Sequence, residues 1–84
     1  MKHRTHPEIV ARLKRANGHL SAILKMFEEA RPCVDLAQQL HAVESAVSNA
    51  KRELIHDHIE HCLDGPDGDT KIAMRELKQL ARYL

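Results

Sequence analysis

From Cys33 to Leu63 the chain runs without a glycine or a proline, and Leu36, Leu40, Val43, Val47, Ala50 and Leu54 recur there at alternating steps of four and three. That spacing repeats the α-helical period, so the stretch predicts one long amphipathic helix with a single apolar seam. Such a helix is out of scale with a chain of 84 residues. A domain this small has too little material to cover it and usually needs a metal, disulfides or a partner subunit. Packing two copies antiparallel along the seam, with the axis near Ala46 and Val47, buries it.

The flanking segments read as shorter helices. Thr5-His6-Pro7-Glu8 is a helix start, with a cap, a proline suited to the first turn and a carboxylate that complements the dipole. Ile9, Leu13, Ala16, Leu20, Ile23 and Phe27 then carry an amphipathic helix to about Glu29, and Pro32 opens the long one. Gly18 weakens the first helix by about 1 kcal/mol relative to Ala, which a close helix crossing would explain. After the turn-rich Asp64–Thr70 stretch, a third helix to about Tyr83 has Ile72, Leu77, Leu80 and Leu84 as its apolar side. The expected fold is all-α: one domain over residues 1–84, a long antiparallel hairpin plus a short third helix, dimerising into a four-helix bundle. With one Tyr, one Phe and no Trp, the apolar content is aliphatic and suits helix seams.

Metal-type residues end the long seam on both sides. Cys33 stands at its beginning, and His58 and Cys62, one turn apart, at its end. All three fall within about 45° around the helix axis, at ~100° per residue. One imidazole and one thiolate on one face suit a soft or borderline transition metal. Along one helix, however, Cys33 and His58 lie about 37 Å apart at ~1.5 Å per residue, so they meet only between two chains. His61 shares the face and either binds or caps the bundle; His3 and His6 are further nitrogen ligands or part of a basic tail.

Net charge is +1, but Met1–Lys25 is basic and residues 53–69 carry carboxylates without Lys or Arg. Arg12, Lys14 and Arg15 on the first helix and Lys51 and Arg52 on the second are candidates for a phosphate-binding stripe. The absence of an apolar leader in residues 1–15 and of any membrane-length apolar run predicts a cytoplasmic protein without a membrane partner. Nucleotide loop, catalytic triad and HExxH are all missing, which argues against an enzyme or a small organic substrate.

The chain resembles the copper-sensitive operon repressor and nickel/cobalt resistance repressor family (CsoR/RcnR). The resemblance is carried by Arg12-Leu13-Lys14-Arg15-Ala16-Asn17-Gly18-His19-Leu20, Cys33, Gln38-Gln39-Leu40-His41-Ala42-Val43, and His58 with Cys62. It implies a Cys-His-Cys site between subunits, a dimer of dimers, and a repressor that binds operator double-stranded DNA when metal-free and leaves it on metal binding. Cys-His-Cys suits Cu(I), while extra nitrogen ligands suit Ni(II) or Co(II). Copper-type members usually carry Tyr before the first Cys and Glu in the last helix near the site. Here Pro32 precedes Cys33 and the third helix reads Glu76-Leu77-Lys78-Gln79, a departure that, with His3 and His6, favours Ni(II) or Co(II) with Cu(I) close behind. The alternatives on this scaffold are a thiol or persulfide sensor, disfavoured by His58, a formaldehyde sensor, disfavoured by Lys2, and a helical metal-binding adaptor that ignores DNA.

Overall fold

The computed structural model describes residues 6–64 and 70–84, and the side chains of residues 6–61 and 71–84. Three helices follow one another, α1 (His6–Glu28), α2 (Cys33–Asp64) and α3 (Thr70–Ala81), and no strand occurs among the described residues. The all-α hairpin with a short third helix is the expected one.

The α1–α2 turn is built from backbone hydrogen bonds. The N–H of Arg31 donates to the carbonyl of Met26 (3.2 Å) and the N–H of Ala30 to that of Phe27 (3.1 Å), the paired bonds of a Schellman cap. Ala30 takes the left-handed conformation this cap needs (φ 53°), where a Cβ is disfavoured. The Pro32 carbonyl then accepts from Leu36 N–H (3.1 Å), which starts α2.

The apolar seams divide into two. Ile9, Ala16 and Ile23 of α1 are buried, as are Leu36, Val43 and Ala50 of α2: two seven-residue repeats that form the hairpin core. One turn beyond each lies an uncovered residue: Leu13, Leu20 and Phe27 on α1, Leu40, Val47 and Leu54 on α2. The α2 seam expected to lie wholly between two copies is thus half consumed within one chain. Arg12 of α1 pairs with Glu53 of α2 across the hairpin, and His19 Nε2–H donates to Gln39 Oε1 at 2.5 Å.

The result is a plate one helix thick, 55 × 23 × 12 Å, the last dimension matching the diameter of a single helix. Its radius of gyration is 17.3 Å, against about 12 Å for a compact chain of this length. The third helix rests lightly on α2. Leu77 and Leu80 are half-buried, whereas Ile72 and Leu84, expected on its apolar side, stay exposed.

Gly18 does not sit at a close helix crossing. A Cβ built there meets nothing within 4 Å, so the chain's own packing gives no reason for the glycine. Gly18→Ala is therefore expected to raise unfolding stability by about 1 kcal/mol through helix propensity. Ile23→Ala, at a position 1% exposed, should lower it by about 2–4 kcal/mol. Urea denaturation of the two variants at one protein concentration checks both.

Candidate metal centre

The unbroken α2 decides where the donors go. Cys33 is its first residue, exposed and free, and His58 stands near the other end. Among the described residues, no three His, Cys, Asp or Glu side chains of one chain gather as a metal group. Cys62 lies on α2 with its side chain outside the described residues, and His3 lies outside them altogether.

His58 is half-buried where α2 meets α3. Its Nε2–H donates to Glu76 Oε2 at 2.6 Å. A neutral imidazole that gives its Nε2 proton to a carboxylate carries its lone pair on Nδ1, so Glu76 sets which nitrogen can bind a metal. Read from the sequence, the Glu76-Leu77-Lys78-Gln79 region departs from the copper-type pattern, as does Pro32 before Cys33. In the structure a carboxylate of that region, Glu76, does lie against His58.

His58 and Glu76 open onto a cavity of about 550 Å³ that Leu54, Leu80, Tyr83 and His6 also line. His6, the first residue of α1, is therefore brought to the His58 end of the hairpin by the antiparallel packing. Beneath it lies Asp57, only 5% exposed. His6 Nε2 stands 3.8 Å from Asp57 Oδ2, and His61 Nδ1 stands 3.5 Å from Oδ1. The His61 Nδ1–H also donates to the Asp57 backbone carbonyl at 3.1 Å. This ties one ring nitrogen to its own helix.

Asp57 and Glu76 are not among the candidate residues read from the sequence, and the structure sets both beside candidate histidines. Asp57 had a visible signal: Leu36, Val43, Ala50 and Asp57 are spaced by seven, which puts a carboxylate on a core register. For Glu76 the one pointer was the resemblance's Glu in the last helix; no local spacing marks it, because its meeting with His58 depends on how α3 folds back.

With Cys33 and His58 at opposite ends of α2, the two can serve one ion only between two chains. An imidazole with a carboxylate-held tautomer and thiol donors make a suitable set. Cys33 is a helix length from the others. The basic candidates are dispersed too. Arg12 and Arg15 line a groove between α1 and α2 with His19 and Asn49, Arg12 being held by Glu53. Lys14, Lys51 and Arg52 are exposed. No helix among the described residues is long and apolar enough to cross a membrane.

Residues 5–84 match a family model described as metal-sensitive transcriptional repressor. The chain is 39% identical over 74 residues to the copper-sensing transcriptional repressor CsoR of Mycobacterium ulcerans (strain Agy99), covering 86% of this chain and 63% of that one. It is also 39% identical over 72 residues to the copper-sensing transcriptional repressor CsoR of Bacillus subtilis (strain 168), covering 83% and 71%. A solved structure, the nickel-responsive transcriptional regulator InrS, superposes with a TM-score of 0.84 at 29% identity, over 100% of this chain and 98% of that one. The chain thus spans a little under two thirds of the length of the mycobacterial relative. These relatives are regulators of transcription, in keeping with the expectation from the sequence. By the match over residues 5–84, with a hairpin fold shared with a solved regulator, the chain belongs to the metal-sensitive transcriptional repressor family.

Proposed function

We propose that the chain is a metal-responsive repressor that binds operator DNA when metal-free and lets go when an ion joins Cys33 of one subunit to His58 and Cys62 of another. One observation carries this reading: the donors sit at opposite ends of α2, with Leu40, Val47 and Leu54 uncovered between them. A second copy laid antiparallel on that stripe covers it and brings each Cys33 to the partner's His58. By two-fold symmetry the dimer holds two such sites. Dimers pairing into a tetramer multiply the basic surface that Arg12, Lys14, Arg15, Lys51 and Arg52 offer to phosphates.

The residues of this chain divide the work. Cys33 and Cys62 supply thiolates and His58 supplies Nδ1, while Glu76 holds the His58 ring and its tautomer from α3. When bound, the ion supplies a cross-link between subunits through these donors. His58 is joined to Glu76, so a change in the His58 ring is passed to α3. A repressor needs this kind of link: the two ligands must differ in which arrangement of helices they favour.

Ni(II) or Co(II) is our first assignment and Cu(I) the second. His6 lines the His58 cavity and is placed to add a nitrogen ligand, with His3 three residues before it and His61 on the same helix face as His58. Nickel and cobalt use such extra nitrogens, whereas Cu(I) is satisfied by Cys-His-Cys. The match between Glu76 and the copper-type pattern keeps copper close.

Three measurements test these statements. Titrating the reduced protein with Ni(II), Co(II) and Cu(I) by absorption, His58→Ala or Cys33→Ala should abolish the thiolate charge-transfer band at stoichiometric metal. His6→Ala should weaken nickel while leaving copper unchanged; a nickel spectrum indifferent to it assigns the site to copper. Glu76→Ala, which removes only the support of His58, should lower metal affinity by about 10–100-fold. In sedimentation, Val47→Asp should shift the protein to monomer and lose tight metal binding with it; a monomer that still binds metal through Cys33 and His58 together would sink the intersubunit site. Operator affinity equal with and without each metal would sink the sensor.

A further inference from the structure

We propose that Asp57 is a positioning residue that holds His6 at the His58 cavity, and that this hold sets a preference for an ion that takes a further nitrogen ligand. The proposal rests on the metal-responsive reading, with His6 as a ligand in it.

Asp57 occupies an apolar place. Leu36, Val43 and Ala50 lead to it in steps of seven, all buried, and Asp57 is itself buried. A carboxylate taken out of water there is unfavourable unless polar groups gather on it. An aliphatic residue of similar size would serve cohesion as well or better. The groups beside it include His6 of α1, with Nε2 3.8 Å from Oδ2, and His61, with Nδ1 3.5 Å from Oδ1. Each carboxylate oxygen thus faces an imidazole.

The two imidazoles are not equivalent. His61 lies one turn along the same helix, and its Nδ1–H donates to the Asp57 backbone carbonyl, so its place is set within α2. His6 belongs to the other helix. It is the first residue of α1, three before the first buried one, Ile9. The first turn of a helix frays unless it is tied down, and Asp57 reaches this one from α2. His6 also borders the cavity that His58 and Glu76 line. Its ring is therefore backed by a core carboxylate and fronted by the candidate metal site.

The arrangement repeats the one at His58. There a carboxylate from a neighbouring helix, Glu76, meets Nε2, which places the lone pair of a neutral ring on Nδ1. At His6 a carboxylate from a neighbouring helix, Asp57, again faces Nε2. A shift of about 1 Å turns that approach into a hydrogen bond and makes Nδ1 the lone-pair atom here as well. Cu(I) is satisfied by Cys-His-Cys, whereas Ni(II) and Co(II) use a further nitrogen. Asp57 thus acts on the choice of ion, through His6.

The test uses the full chain, reduced, with Ni(II) and Cu(I) affinities measured by chelator competition for Asp57→Asn, His6→Ala and the double variant. Asp57→Asn is expected to lower nickel affinity about 10-fold or more. It should leave copper affinity unchanged and have no further effect in the His6→Ala protein. In the metal-free protein, nitrogen NMR of the histidine rings should show His6 moved by Asp57→Asn, with His19, held by Gln39, unmoved. Asp57→Glu keeps the carboxylate and should retain more nickel affinity than Asp57→Asn. Equal loss of nickel and copper, by misfolding or otherwise, makes Asp57 a merely structural residue and overturns the proposal. A nickel loss that persists undiminished in the His6→Ala protein overturns it too, because Asp57 then acts without His6. Nickel affinity lowered by His6→Ala but not by Asp57→Asn overturns the proposal and leaves the nickel reading standing. Nickel affinity indifferent to both variants overturns the proposal together with His6 as a ligand.

Discussion

The stiffness of α2 governs the rest of the molecule. A continuous 32-residue helix is about 48 Å long, and a chain of this size has one further long helix to lay against it. Packing α1 on α2 satisfies one edge of each helix. It leaves a plate 12 Å thick with aliphatic side chains still facing outward. It also holds the two ends of α2, and the donors on them, permanently apart. The same rigidity therefore exposes an apolar stripe and splits a ligand set, and a second copy of the chain answers both.

Within the plate, the seven-residue repeat sorts the side chains. Ile9, Ala16 and Ile23 meet Leu36, Val43 and Ala50, and the next position of the α2 repeat is Asp57 in place of another aliphatic residue. A buried carboxylate gathers compensating groups, and here His6 and His61 stand on either side of it. The core thus changes from aliphatic to polar at the end where the metal-type residues lie. Imidazoles, carboxylates and a cavity stand there beside the buried Ile55, so this end of the hairpin is suited to chemistry and the middle to cohesion.

The third helix joins that polar end to the surface. Its hold on α2 is slight: Leu77 and Leu80 are half-buried, Ile72 and Leu84 exposed, and Glu76 hydrogen-bonds His58. An element attached so lightly opens at lower free energy than a packed core helix. A change at His58 acts on α3 through one directed bond and meets little packing that resists it. That is a favourable arrangement for passing a local event to a charged surface.

Much of this was legible in the residues. The steps of four and three, the absence of glycine and proline from Cys33 to Leu63, and the capping residues determined three helices, their bounds within a few residues, and a hairpin. Helical rise alone determined that Cys33 and His58 cannot meet in one chain, because that distance depends only on the number of residues between them. Tertiary structure alone decided which half of each seam is buried, since adjacent core and surface stripes share one periodicity. It alone decided that Gly18 faces open space, that His6 reaches the His58 cavity, and that Glu76 accepts the His58 hydrogen bond. These are contacts between residues far apart in the chain, set by how the helices turn back on one another, and local patterning carries no trace of that.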